Sequence, residues 1–320
     1  KNVLQGDMMF TQGDLTDVEV DGQTQQLAAC TALVSDGMRV ETHSNGINEY
    51  RKTILELLLS ETSSPANCPK CISFKKCELH AAAEEYGAKW DAFPSLVARE
   101  KAVDDNPFIQ RDYDYCISCF RCTNICNDWE QAGAITVEGR GQGNSIASFF
   151  NNQLLESPCT FCGQCINTCP TGALTDKKVV GKTVAEKLER TKTICPYCGV
   201  GCGIQLLTQD GELKGSEPDF TAPSQGSLCV KGQFGSWDFV TSADRLTTPL
   251  IRKDGELQPA SWDEAISLVA SKFQHYKDTD GPDSLVLWAS ARVTSESNYL
   301  MQKFARVAVG TNNIDNCSLT

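Results

Sequence analysis

Positive charge is what this sequence has least of. Its 29 Lys and Arg are outnumbered by 41 Asp and Glu among 320 residues, giving a net charge of -12 and a pI near 4.8. So acidic a surface argues against nucleic acid and anionic membranes as partners, because both select basic faces. Long apolar runs are missing too. None reaches the ~18 residues that make a membrane-span candidate, and the longest, such as the SLVLWAS run from Ser284, are of buried-strand length. No secretory leader is visible, although the sequence opens at Lys1 rather than Met and leaves room for residues ahead of it. What the chain has in excess is cysteine, 17 in all. Most fall in C-x2-C groups suited to metal rather than in a disulfide framework, so a reducing, cytoplasmic compartment is expected.

The densest stretch runs from Asp114 to Leu174. Cys116, Cys119, Cys122 and Cys126 are spaced C-x2-C-x2-C-x3-C, and Cys159, Cys162, Cys165 and Cys169 repeat the spacing with Pro170 next. This is the pattern of bacterial two-cluster ferredoxins, in which three thiolates of one loop hold three corners of a cube and the fourth Cys ligates the other cluster. One [4Fe-4S] cluster is therefore expected on Cys116, Cys119, Cys122 and Cys169, and a second on Cys159, Cys162, Cys165 and Cys126. Zinc, which favours two separated C-x2-C pairs, and disulfides are the alternatives. Two matched runs of four argue against both.

Ahead of this stretch, Val18 and Val20 flank Glu19 with strand period, Asp21-Gly22 supplies a hairpin turn, and Leu27 leads to Cys30. From Asn48 the period becomes helical, with Tyr50, Ile54, Leu57 and Leu58 on one face, until Ser60 to Ala66 break it. Cys68, Cys71 and Cys77 follow as C-x2-C-x5-C, and ELHAAAEEYG reads as a short helix ended by Gly87. A connector over 88–113 carries Pro94 and Pro107, and GRGQGNS between the ferredoxin halves reads as a flexible Gly-rich loop.

The runs VEVDG and AACTALVSDGMRVET resemble the C-terminal half of the plant-type [2Fe-2S] domain at the head of complex I large subunits, iron-only hydrogenases and NAD-linked formate dehydrogenases. Those families have a C-x2-C pair where this chain has Gly13 and Thr16. Cys30 matches only the last ligand, so a degenerate β-grasp ferredoxin head with no [2Fe-2S] centre is expected. In the same families the C-x2-C-x5-C group holds a [4Fe-4S] cluster whose fourth ligand is a His four residues before the first Cys. That position here is Ser64, and the fourth ligand stays open between Ser64, His80 and water. The ordinary reading of His80 is a solvated helix histidine.

Cys195, Cys198, Cys202 and Cys229 are spaced C-x2-C-x3-C-x26-C, the last opening CVKG. This is similar to the N-terminal [4Fe-4S] domain of the bis-molybdopterin guanine dinucleotide oxidoreductases. The resemblance implies a cluster on these four cysteines and a coupling role for Lys231 between cluster and pterin. Beyond it, a helix from Trp262 with Ala265, Ile266, Leu268, Val269 and Phe273 on its apolar face, a strand in SLVLWAS, a helix closed by Gly310 and a strand in TNNIDNC make one βαβ unit.

Across nearly the whole chain the resemblance is to the large subunit of cytosolic, NAD-linked formate dehydrogenases containing molybdenum or tungsten. It implies an α+β, multi-module iron–sulfur protein: a degenerate β-grasp head (1–47), a helical C-x2-C-x5-C domain (48–100), a two-cluster ferredoxin module (101–190), a molybdopterin oxidoreductase [4Fe-4S] domain (191–245) and the start of an α/β molybdopterin-binding domain (246–320). Fifteen of the 17 cysteines are thereby absorbed, leaving Cys30 and Cys317. In that family an Asn-Cys matching Asn316-Cys317 precedes, by four residues after the Cys, the catalytic Cys or selenocysteine. That position is 321, past Thr320, and Ser318-Leu319-Thr320 departs from the family's Ala-Arg-Val. The implied role is electron transfer between a molybdopterin site and a flavin-containing NAD(P)-reducing subunit or a ferredoxin-like partner. The alternative is a non-catalytic electron-transfer subunit of a larger, electron-bifurcating transhydrogenase or reductase complex.

Overall fold

The computed structural model of the chain describes residues 17–20, 26–28, 33–75, 77–95, 106–148, 153–235 and 237–317. At the head, β1 (Asp17–Val20) pairs antiparallel with β2 (Gln26–Ala28) on one edge and β3 (Val40–Glu41) on the other, Val18 opposite Leu27 and Val20 opposite Val40. Gly13, Thr16 and Cys30, on which the expected absence of a two-iron centre rests, lie outside the described residues.

Helix α1 (Asn45–Ser60) starts three residues before the apolar periodicity does, because the Ser44 hydroxyl accepts from Ile47 N (3.2 Å) and caps the first turn. Its buried stripe is Ile47, Arg51, Leu55 and Leu59, spaced four apart, while Tyr50 and Leu57 of the expected face are exposed. The helix is turned because Arg51 goes inward. Its guanidinium lies 5.9 Å over the Tyr86 ring and donates to the Tyr86 hydroxyl at 3.2 Å. Two short helices follow, α2 (Pro69–Ser73) with Pro at its first position and α3 (Glu78–Glu85), whose chain turns away at Gly87 with φ +64.

The ferredoxin-like module contains β4 (Ile109–Arg111), α4 (Arg121–Asn124), β5 (Ile135–Glu138), β6 (Ser145–Ser148), α5 (Gln164–Thr168) and β7 (Leu174–Asp176). β4 pairs antiparallel with β7, and β5 with β6, so the Gly-rich stretch closes a hairpin. The two cysteine loops share one backbone course. Ser118 and Phe161, each two residues after its loop's first Cys, have φ 54 and 52; Phe120 and Gly163, each four after, have φ 57 and 78. Phe120 thus holds a left-handed conformation that its counterpart meets with glycine.

Next comes an antiparallel sheet, β8 (Glu189–Ile194), β9 (Gly203–Gln209) and β10 (Glu212–Pro218), with β9 central, followed by α6 (Val230–Phe234). The last part has a hairpin of β11 (Leu250–Lys253) and β12 (Glu256–Pro259), then α7 (Trp262–Asp280), β13 (Leu287–Ser290), α8 (Ser295–Lys303) and β14 (Ile314–Cys317). β13 and β14 are parallel, Leu287 opposite Ile314, which is the expected βαβ unit. It has its own small core of Leu287, Ala305 and Val309. The apolar face of α7 lines an open groove, and no residue of α7 is buried.

A single core runs from Leu55 and Leu79 of the head helices, through Tyr113, Ile146 and Leu174, to Phe234 of α6. Among the described residues no helix is long and apolar enough to cross a membrane.

Candidate metal centres

Two enclosed cavities in the ferredoxin-like module are each ringed by four cysteines. Cys116, Cys119, Cys122 and Cys169 surround the first, with Tyr113, Phe120, Ile146 and Leu174 among its walls. Cys126, Cys159, Cys162 and Cys165 surround the second, which also meets Arg111, Tyr113, Ile146 and Leu174. Each ring takes three thiols from its own loop and the fourth from the other loop, the exchange expected from the spacing. Ser118 N and Phe161 N, at equivalent positions, donate to Cys116 Sγ and Cys159 Sγ at 3.4 Å each. Burial pushes Cys119 up to about 12 and raises Cys122 and Cys165 well above the ordinary thiol range, where crowding by the other thiols adds to it. Only the positive charge of a bound metal makes four such thiolates stable together, so the donor set fits iron–sulfur and loading it releases protons.

At the head, the sulfurs of Cys68, Cys71 and Cys77 lie within 4.8 Å of one another. Hydrogen bonds from the Cys68 and Cys77 thiols hold Cys71 well below the ordinary thiol range, to about 3, and the same contacts push Cys77 up. His80 is not simply solvated. Its Nδ1 sits 3.6 Å from Cys71 Sγ, its Nε2 lies 3.5 Å from Glu84 Oε1, and the Trp90 ring meets it edge-on with centroids 6.2 Å apart. Ser64, by contrast, is exposed and spends its hydroxyl accepting from Ala66 N at 3.4 Å.

The third set is held by the loop between β8 and β9. Cys195 N donates to Cys202 O at 2.8 Å; burial raises both thiols, and Cys198 and Cys229 add to it at each, with Cys202 also acting on Cys195. Cys229 is exposed directly before α6, and Lys231 is exposed on that helix. A Cβ on Gly199 would fall 2.5 Å from Ala291 O, so this loop packs backbone to backbone against the end of β13. Cys317 is exposed on β14, in register with Ser290.

The sets abut in a fixed order. A Cβ on Gly172 would lie 2.7 Å from Cys68 Sγ, Lys70 Nζ donates to Cys169 O, and Leu79 N donates to Pro170 O at 3.1 Å, so the segment after Cys169 backs onto the head thiols. The first and second cavities share Tyr113, Ile146 and Leu174. A Cβ on Gly163 would meet Gln233 Cγ at 2.4 Å, Asn167 donates to Gln233 Oε1 at 2.9 Å, and Phe108 lies between Phe161, tilted to it at 5.3 Å, and Phe234, stacked on it at 5.1 Å. The second cavity's loop therefore packs on α6, the helix that Cys229 precedes. Gly172, Tyr113 and Glu84 were not legible as site residues; only the C-P-T-G run around Gly172 carried a signal.

Family comparisons agree with the order of these modules. Residues 51–90 match the NADH-ubiquinone oxidoreductase-G iron–sulfur binding region, and 106–175 match the ferredoxin-like domain of NADH-quinone oxidoreductase subunit 3. Residues 188–240 match the molybdopterin oxidoreductase Fe4S4 domain and 245–319 the molybdopterin oxidoreductase family proper. In its run of modules the chain matches the iron–sulfur electron-transfer part of molybdopterin oxidoreductases and complex I-like subunits. Among similar proteins, the NADPH-Fe(3+) oxidoreductase subunit alpha of Geobacter sulfurreducens is 33% identical over 93% of this chain and 34% of its own length. A Staphylococcus aureus protein named "Putative formate dehydrogenase" is 31% identical over 95% of this chain and 34% of its own. The chain thus spans about a third of the length of the curated relatives it matches. A crystal structure of an NAD+-reducing [NiFe]-hydrogenase in the H2-reduced state aligns with a TM-score of 0.48 and 24% identity over 55% of this chain and 74% of that one.

Proposed function

We propose that this molybdopterin oxidoreductase module wires a molybdopterin site to a flavin-containing NAD(P)-reducing subunit or a ferredoxin-like partner in the cytoplasm. The observation that carries the reading is the pair of cavities, each ringed by three thiols of one loop and one of the other, in a core continuous with the head helices and α6. Its proposed ligand sets are Cys116, Cys119, Cys122 and Cys169; Cys126, Cys159, Cys162 and Cys165; Cys195, Cys198, Cys202 and Cys229; and Cys68, Cys71 and Cys77 with His80 as the fourth donor. The proposed modules span 1–47, 48–100, 101–190, 191–245 and 246–320, with no two-iron centre in the first. Bound [4Fe-4S] clusters take up and release one electron at a time.

The chain's own residues position, insulate and bias those sites. Its thiolates and the N–H groups of Ser118 and Phe161 set charge around each ring, apolar walls keep water out, and glycines at 163 and 172 let successive modules touch. The order of the sets runs from Cys229, beside Lys231, through the second and first cavities to Cys68. Lys231 is proposed to face the pterin, a molybdopterin guanine dinucleotide carrying molybdenum or tungsten in the remainder of the subunit. In the formate reading, formate yields carbon dioxide, a proton and two electrons, which then leave singly along this order.

Isolation of the intact subunit, metal analysis and addition of formate test the proposal. The expected result is molybdenum or tungsten together with bleaching of the cluster absorbance by formate. A subunit rich in iron but without either metal favours the alternative, a non-catalytic electron-transfer subunit of a bifurcating complex, a reading supported by the loss of the family's histidine at Ser64.

A further inference from the structure

The two four-thiol cavities are built from loops of the same backbone course, and symmetric surroundings would give their clusters the same potential. One polar residue breaks the symmetry from the shared wall. Tyr113 lines both cavities, is 5% exposed, and its hydroxyl proton has no acceptor among the described residues, Arg111 beside it being a donor only. A buried hydroxyl left without an acceptor costs free energy, and such groups in native structures have a reason. The two other residues common to both walls, Ile146 and Leu174, offer no side-chain acceptor. No acceptor among the described residues, cysteine sulfur included, lies within its reach, so a sulfur of a bound cluster is the acceptor left, and the thiols whose charge acts on the phenol, Cys122 and Cys116, belong to the first ring. Arg111, two residues earlier on β4, walls only the second cavity and acts on Cys159 there, and its guanidinium also lies beside the phenol oxygen.

We infer that Tyr113 is a potential-setting residue that donates a hydrogen bond to a sulfur of the cluster held by Cys116, Cys119, Cys122 and Cys169, while Arg111 serves the second ring, so that the two cubes differ in potential. The chemistry is general. A donor aimed at a cluster sulfur stabilises the more negative, reduced state and moves the potential upward. A difference between neighbouring cubes gives the line of sites a downhill sense that the repeated cysteine spacing cannot supply.

The inference rests on the ligand sets proposed above, and the test keeps the two apart. Tyr113→Phe is made in the full subunit, iron and sulfide are counted, and each cluster's midpoint is followed by paramagnetic resonance during redox titration. Iron content reports on the ligand sets; the midpoint reports on the hydroxyl. The expected result is unchanged iron, a shift to more negative potential at the first-ring cluster alone, and loss of an exchangeable-proton coupling to it when spectra in H2O and D2O are compared. Full iron with no shift, or with a shift confined to another cluster, overturns the inference. Where the Phe variant does not hold its iron, wild-type protein carrying 3-fluorotyrosine takes its place. The more acidic phenol is a better donor, so the same midpoint moves to more positive values, and an unmoved midpoint overturns the inference equally.

Discussion

His80 shows how a single side chain changes standing once its neighbours are known. From the sequence it is one imidazole on a short helix. In the fold it presents Nδ1 to Cys71 and Nε2 to the Glu84 carboxylate, the arrangement by which a metal-bound histidine is oriented and made more basic. His80→Ala is expected to move the midpoint of the head cluster alone and to speed its conversion by oxidant to a three-iron form. Redox titration followed by paramagnetic resonance reads both, and an unmoved midpoint would leave the corner to solvent. Asp176 makes a second prediction. It is 2% exposed on β7, and burial pushes its carboxyl up to about 6 against the Lys178 N–H and the charges of Lys178 and Lys182. A carboxyl easier to protonate folded than unfolded contributes stability in full below pH about 4, the ordinary carboxylate value, and loses it as the pH rises through 6. Asp176→Asn is therefore expected to raise stability by about 3 kcal/mol at pH 8 and by progressively less toward pH 5, measured by thermal melts across that range. The fifteen cysteines could be proposed as ligands from sequence because ligand spacing is a local, short-range property. The inward turn of Arg51 and the burial of Asp176 were not, since both depend on what the fold lays over them.

At the scale of elements, periodicity found the four longer helices, α1, α3, α7 and α8, and misjudged what covers them. The α1 stripe passes through Arg51 because its cation and the ring of Tyr86, at the end of α3, satisfy each other there. The face of α7, apolar by spacing, lines a groove without a buried residue. The sheet of β8, β9 and β10 gave no clear period; β8 reads ERTKTI with five of its six residues exposed, so nothing alternates strongly. The βαβ unit was legible, since its strands and helix each carry their own signal and a parallel pair needs a crossover. The close joint between the head site and the ferredoxin-like module was not visible at all. It hangs on Gly172, whose missing Cβ leaves room for Cys68 Sγ. Gly172→Ala is expected to displace that thiol and empty the head site while sparing the other three sets. Iron would fall from about 16 to about 12 atoms per chain if each set holds four, and a variant retaining the full count would show that the joint yields.

For the whole molecule, the continuous core from Leu55 to Phe234, the smaller clusters around Leu207 and Ile204 and the separate one around Leu287 set a wired body apart from the beginning of a molybdopterin oxidoreductase domain. The glycine joints at 172 and 163 add something to that division. Tunnelling rates fall steeply with separation, and a conductor built from hinged segments would flicker as its joints flexed. Here backbone meets thiol at one joint and a side chain at the other with no room for a Cβ, so close packing at these two joints sets the spacing between stations. A conductor without slack cannot be throttled along its length. Whatever turns the current on or off must act at its terminals, where another protein docks or departs.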